Sequence, residues 1–331
     1  MQGEMMIYEE IPYVEKPISR LILGTANEPF RTGADQSLFL DQALAAGITT
    51  IDTGRVYEKS EEVLGRWLES RNAYDQVVLI SKCAHPSVPL WRKRVNEKEI
   101  RKDFEISSQK LRTKYIDIYL LHRDDTDKEV GEIVEIMNAL YAEGKIGAYG
   151  GSNWTHQRIE MANEYAYKYN LVPFAVSSPH YSLAHQVQDP WGGGCVTLTG
   201  PENEEARAWY QRTRMPVFAY SSLANGLFSG RAKGNDPAGI KNMLSKEAMK
   251  GYGYPENFER LQRCEELARV KNCTVSQLAL AWLFRQELNV FAIVSSTSME
   301  RMKDNIKALE IDLSEEELRY LGDSSFMRSQ K

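Results

Sequence analysis

Ile51-Asp52-Thr53-Gly54-Arg55-Val56-Tyr57 reads as the end of a strand, a glycine turn and a short run to a tyrosine. Ile48 and Ile51 supply the apolar lead-in, and Gly54 breaks the pattern just after Asp52. The residues that follow, 59–68, carry Val63, Leu64, Trp67 and Leu68 on one face at helical spacing. Strand, tight loop and amphipathic helix make a βα unit, with Asp52 and Tyr57 at the carboxyl end of its strand. In a barrel of parallel strands that end carries the chemistry. Two later strand ends match it. Val77-Val78-Leu79-Ile80-Ser81 runs into Lys82, and 115–121 (YIDIYLL) runs into His122.

Outward from this stretch the same alternation repeats. A hairpin over 6–14 closes the bottom of the barrel. Strands are expected over 20–24, 48–51, 77–81, 115–121, 146–151, 174–177, 216–220 and 290–294. Helices are expected over 35–46, 59–70, 97–112, 128–143, 156–167, 202–213, 256–271, 274–285, 298–308 and 314–321, with 83–95, 181–201 and 224–254 as loops. Thr274 opens one helix as its N-cap, and Ser314 with Glu317 forms a capping box on the last. Eight strand–helix units in strict alternation imply parallel strands covered by helices. The expected fold is an α/β, parallel (β/α)8 TIM barrel with an N-terminal hairpin and extra C-terminal helices. No linker divides the chain, so 1–331 is read as a single domain.

Composition narrows the function. The chain has 331 residues and a net charge of −5, with its basic residues dispersed. That argues against nucleic acid or an anionic membrane as partner. The four cysteines, Cys83, Cys195, Cys264 and Cys273, lie far apart without a CxxC. They read as free thiols of a reducing compartment rather than a disulfide frame or metal site. Residues 1–6 lack the basic-then-apolar pattern of a leader, and no apolar run approaches the ~20 residues of a membrane span. A cytoplasmic, metal-free protein is expected, with its oligomeric state open.

Each site residue alone has an ordinary explanation: a helix cap, a half-buried ring, a solvated amine, a core histidine. Asp, Tyr, Lys and His at three successive strand ends do not. D-T-G-x-x-Y at 52–57, S-K at 81–82, L-L-H at 120–122 and G-G-S-N-W at 150–154, in this order, resemble the aldo-keto reductase family. The resemblance runs from Gly24 to about Leu321. It implies NADP(H), with NAD(H) as a second option, and a catalytic set of Asp52, Tyr57, Lys82 and His122. The chemistry agrees with those roles. Carbonyl reduction needs a hydride donor, an acid for the oxygen and a dry pocket. Tyr57 is the expected acid, but a free phenol has a pKa of ~10. A neighbouring ammonium, Lys82, is expected to lower it. Asp52 holds Lys82 in place, and His122 donates a hydrogen bond to the substrate oxygen.

By the same resemblance Gly24 and Thr25 lie beside the nicotinamide, and Ser152, Asn153 and Ser178 meet its carboxamide. Ser178 stands where the family has glutamine. Tyr220 stacks on the nicotinamide, and Ser221 and Leu223 meet the pyrophosphate. Ser296 lies in the adenosine-phosphate segment, Arg301 takes the 2′-phosphate and Asn305 the adenine. Arg301 as a forked cation favours NADPH. Ala26 replaces the family's usual aromatic and widens the pocket. Gly192-Gly193-Gly194 is not followed by Lys-Ser or Lys-Thr and a helix, so it is no phosphate loop. With Trp191 it is expected to shape the substrate mouth, and Trp91 and Trp154 to add walls. The expected substrate is a small carbonyl compound: an aldehyde, a ketone or a sugar-derived ketone. Two other readings compete: a nicotinamide-binding regulatory subunit of a membrane channel, and a metal- or phosphate-dependent barrel hydrolase or aldolase using Lys82 as a Schiff-base amine.

Overall fold

A computed structural model describes residues 6–87 and 90–322; the stretch 1–5, part of the segment read above as carrying no leader, lies outside them. The strands are β1 (Tyr8–Glu9), β2 (Ile18–Ser19), β3 (Leu21–Gly24), β4 (Thr50–Asp52), β5 (Val78–Cys83), β6 (Ile116–Leu121), β7 (Ile146–Ser152), β8 (Val176–Ser178), β9 (Val217–Ala219) and β10 (Val290–Val294). The helices are α1 (Glu28–Thr32), α2 (Ser37–Ala45), α3 (Ser60–Arg71), α4 (Glu97–Leu111), α5 (Val130–Ala142), α6 (His156–Lys168), α7 (Glu204–Thr213), α8 (Pro237–Met243), α9 (Lys246–Tyr252), α10 (Pro255–Val270), α11 (Val275–Phe284), α12 (Met299–Ile306) and α13 (Glu315–Gly322).

Strands β3 to β10 close into a parallel barrel, β10 pairing with both β3 and β9. This is the expected (β/α)8 TIM barrel. Every residue of β5 and β6 is buried, as strands covered on both faces require. Alternation along each strand sorts the side chains. Val78, Ile80, Ile118, Leu120, Phe218 and Phe291 fill the barrel interior, while Leu79, Tyr119, Leu121 and Tyr149 pack outward against the helices. The same period of two carries the inward set to the rim. Asp52 lies two residues past Thr50, Lys82 two past Ile80, and His122 two past Leu120.

The hairpin pairs β1 with β2 antiparallel and brings Ile11, Val14 and Ile18 into the interior cluster. It closes the amino-terminal end of the barrel and runs further along the chain than expected. Both helix starts read from the sequence carry their caps: Thr274 with Gln277 on α11, and Ser314 with Glu317 on α13. The 224–254 segment differs from expectation. It holds α8 and α9, started by the Asp236 and Ser245 side chains. Ile240, Leu244, Ala248 and Tyr252 bury themselves with Leu261 and Leu278 in a second cluster, so packing makes helices that local propensity leaves open.

Helices α3 and α4 meet at Gly65, where an added Cβ would stand 2.0 Å from the Lys110 carbonyl oxygen. Helix propensity alone predicts that Gly65→Ala stabilises by ~1 kcal/mol. The close backbone approach predicts the opposite, a loss of about 2–3 kcal/mol. Urea unfolding decides between them, and a stabilised variant would contradict this packing.

Candidate active site

Asp52 and Lys82 come from neighbouring strands, β4 and β5, and meet at the carboxyl rim. Lys82 Nζ lies 2.5 Å from Asp52 Oδ2 and donates to the Thr53 carbonyl oxygen at 2.7 Å. Lys82 is 3% exposed and Asp52 4%. A glycine turn then lets the chain double back, and the half-buried Tyr57 ring lies over the ammonium, its centroid 4.9 Å from Lys82 Nζ. His122, at the end of β6, meets Tyr57 edge-on with ring centroids 5.8 Å apart. The four residues predicted from separate motifs thus share one site.

Burial pushes the Tyr57 phenol above its ordinary value of 10, and Lys82 pulls it back only in part. The ammonium acts in the expected direction, and desolvation of the phenolate, set only by the folded chain, outweighs it. Burial also works against the charge on Lys82, but Asp52 and Tyr57 more than restore it, and its pKa stands above the ordinary value. Burial lifts Asp52 against the pull of Lys82. His122 is held well below the ordinary imidazole value, first by burial and then by Lys82, His85 and Arg123. At neutral pH the site presents a phenol, an ammonium and a neutral imidazole whose Nδ1 is buried without a partner.

A cavity of about 1210 Å³ opens from these four residues and runs across the rim to α12. All the predicted cofactor and substrate residues line it except Thr25 and Trp154. Thr25 is buried with its backbone amide and hydroxyl both on the Asp52 carbonyl oxygen, so it braces the ends of β3 and β4. Trp154 forms no wall. It is 0% exposed and packs on Phe174 at 4.9 Å in the helical layer. Asn153, at φ 60, turns the chain so that the tryptophan leaves the rim.

Asn153 itself ties three strand ends together. Its Nδ2 donates to the His122 carbonyl oxygen (3.3 Å), its Oδ1 accepts from the Tyr220 hydroxyl (2.7 Å), and its backbone amide donates to the Ser178 carbonyl oxygen (3.2 Å). Ser152 and Ser178 turn their hydroxyls to backbone carbonyls. At the far end of the cavity Arg301 Nη2 donates to Thr297 Oγ1, while Ser298 caps α12.

Among the charged or ionisable lining residues that escaped the sequence reading are His85, Arg123, Arg231 and Lys233. Arg231 and Lys233 follow Gly230 in the 224–254 segment, and two cations beside a glycine turn were the available signal. His85 meets the His122 ring at 4.8 Å from a loop whose path no local pattern reveals. Among the described residues no helix is long and apolar enough to cross a membrane.

A parallel eight-stranded barrel with a buried Lys–Asp pair, a tyrosine and a histidine at its carboxyl rim defines a class of cleft-bearing α/β-barrel enzymes. The model of the Aldo/keto reductase family matches residues 20–324, and the chain belongs to that family. It is thereby an oxidoreductase of carbonyl compounds. It is similar to the norsolorinic acid reductase of Aspergillus flavus, 26% identical over 86% of this chain and 70% of that protein. It is also similar to the uncharacterised oxidoreductase YrpG of Bacillus subtilis, 27% identical over 92% of each chain. A putative voltage-gated potassium channel subunit beta of Schizosaccharomyces pombe is 26% identical over 82% of this chain and 78% of that one.

Two buried histidines set a pH dependence. His180, held by Thr197 and Ser182, is lowered to about 3 by burial, and His122 is also lowered. Unfolding exposes both to protonation at ~6.5, so below that pH the unfolded chain binds more protons and stability falls as pH falls. The slope approaches about 1.4 kcal/mol per pH unit per histidine. Denaturant unfolding is expected to show about 3 kcal/mol lost from this pair between pH 6.5 and 5, with about half of the slope removed in His180→Gln. An unchanged slope in that variant would contradict it.

Proposed function

We propose that the protein is an NADP(H)-dependent reductase that interconverts a carbonyl (aldehyde, ketone or sugar-derived ketone) and its alcohol, with Tyr57 as general acid and base. The observation that carries this is the buried Lys82–Asp52 pair beneath Tyr57, with His122 alongside, at one end of a cavity whose other end is cationic. The cavity exceeds the roughly 300–1,000 Å³ of a single small-ligand site, which suits a dinucleotide and a substrate together. A bound nicotinamide supplies the hydride.

Gly24, Ser152, Asn153, Ser178 and Tyr220 hold the nicotinamide end, and Ser221, Leu223, Arg231 and Lys233 the pyrophosphate. Ser296, Arg301 and Asn305 hold the adenosine end. Arg301 meets a hydroxyl and, among the described residues, no carboxylate, which suits a 2′-phosphate and favours NADPH over NADH. Ala26, Trp91 and Trp191 shape the substrate mouth. Tyr57 gives its proton to the carbonyl oxygen. The Lys82 ammonium stabilises the phenolate that remains, and Asp52 keeps that ammonium charged and in place. His122, uncharged, orients the oxygen without competing for its proton. Free thiols at all four cysteines suit a reducing compartment, and we assign the chain, as one catalytic domain over 1–331, to the cytoplasm.

The similarity to the Schizosaccharomyces pombe channel-subunit protein favours a second reading, a nicotinamide-binding regulator with little turnover. One experiment separates them: NADPH and NADH absorbance decay with a panel of aldehydes, ketones and sugars, beside Tyr57→Phe. The enzyme reading expects turnover with NADPH preferred, a kcat loss of about 10²–10⁴-fold in the variant and NADPH affinity nearly unchanged. Full turnover by Tyr57→Phe would overturn the assignment of the acid. Tight NADPH binding with no turnover of any compound would favour the regulator.

A further inference from the structure

Arg123 follows His122 at the rim of β6 and lines the same cavity, yet carbonyl reduction as derived above gives it no task. It is 8% exposed. Its Nη1 donates to the Gly194 carbonyl oxygen at 3.0 Å and to Cys195 Sγ at 3.4 Å. Its buried Nε has no partner. The acids nearest in sequence serve other cations: Asp124 pairs with Arg158 at 2.8 Å, and Asp125 with Lys93 at 2.9 Å. Asp189, in the facing loop, accepts from the Trp191 and Cys195 backbone amides at 2.7 and 2.9 Å. Among the described residues no carboxylate lies within ion-pair distance of Arg123.

Asp189 acts on Arg123 only at longer range, and a buried guanidinium without a carboxylate in direct contact is expensive to keep, a cost that a ligand anion offsets. The planar guanidinium fork has the shape that grips the two oxygens of a carboxylate. Arg123 is also close enough for its charge to be felt at Tyr57 and at His122. The rest of the mouth is aromatic: His85 stands against His122 at 4.8 Å and against Trp91 at 6.1 Å, and Trp191 lies in the loop that Arg123 holds.

We propose that Arg123 sets substrate specificity: the cavity takes carbonyl compounds that carry a carboxylate, gripped by this guanidinium while the carbonyl lies against Tyr57 and His122. The proposal rests on the carbonyl-reductase reading of the site and names its substrate class. A neutral carbonyl of the same shape leaves the guanidinium unpaired in a desolvated pocket and is the poorer substrate.

The test compares 4-carboxybenzaldehyde with methyl 4-formylbenzoate, which share a ring and an aldehyde and differ in charge. With NADPH, wild-type kcat/KM is expected to favour the acid by about tenfold or more. In Arg123→Gln the ratio falls to about one, chiefly through KM, and Arg123→Lys keeps part of the preference. A wild-type ratio near one, or an undiminished ratio in Arg123→Gln, would overturn the proposal. Calorimetric binding of benzoate against benzamide is run beside it, with and without NADP+. Turnover of neither aldehyde counts against the reductase reading alone, and the binding result still decides. Benzoate preferred by wild type and not by Arg123→Gln supports the proposal, and equal binding overturns it. Should the glutamine variant fail to fold, the wild-type ratio and Arg123→Lys carry the test, since a ratio near one in wild type is sufficient to reject it.

Discussion

An ammonium and a carboxylate 2.5 Å apart, both nearly inaccessible to water, are the constraint around which this molecule is arranged. Taking two such charges out of water costs several kcal/mol each, and their attraction offsets that only when the geometry is good and further hydrogen bonds complete it. Here the completion comes from the Thr53 carbonyl oxygen and from barrel closure. Strands β4 and β5 are in register, with Asp52 opposite Ile80, so the inward parity that buries Ile80 also aims Lys82 across at Asp52. The pair stands on a floor of packed apolar side chains. That floor keeps water from below and fixes where the ammonium meets the Tyr57 ring.

The loops then turn a charged rim into a long cleft. Tyr57 arrives on a glycine turn after β4, His122 at the end of β6, and Asn153 joins the ends of β6 and β8 to Tyr220 beyond β9 through its amide and backbone. Its left-handed backbone sends Trp154 to the helical layer. The carboxyl rim therefore collects polar groups while the barrel beneath it stays apolar. One end of the cleft holds the Lys82–Asp52 pair with Tyr57 and His122, and the other holds cations and hydroxyls. This division of labour follows from where strands end and helices begin.

Much of this was legible in the sequence because two periodicities were strong. The apolar run at 77–81 and the run at 115–121, apolar but for Asp117, read as strands covered on both sides, with Lys82 and His122 just past them at the rim. Asp52 and Tyr57 follow from the strand end and glycine turn at 51–57, and the family resemblance gave the four their roles and added the cofactor-side set. Four features were not legible. Trp154 depends on one backbone angle at Asn153 that no spacing announces. Helices α8 and α9 lie among Gly, Asn and Asp residues and form because Ile240, Ala248 and Tyr252 have a distant apolar surface to cover. The balance at Tyr57 pits an ammonium, readable in sequence, against burial, which only the folded chain sets. His85 reaches the cleft from a loop whose path is a property of the whole barrel.

The central claim is that Lys82, held by Asp52, acts on the phenol of Tyr57. It is tested most directly by titrating that phenol in the free protein. The tyrosinate absorbance of wild type minus that of Tyr57→Phe, followed from pH 7 to pH 12, isolates the one group. The same difference taken in a Lys82→Met background shows what the ammonium contributes. The account predicts a Tyr57 pKa above its ordinary value of 10, pushed higher still when Lys82 is removed, because burial then acts unopposed. A midpoint well below 10 in the free protein, or one that Lys82→Met leaves unmoved, would contradict it.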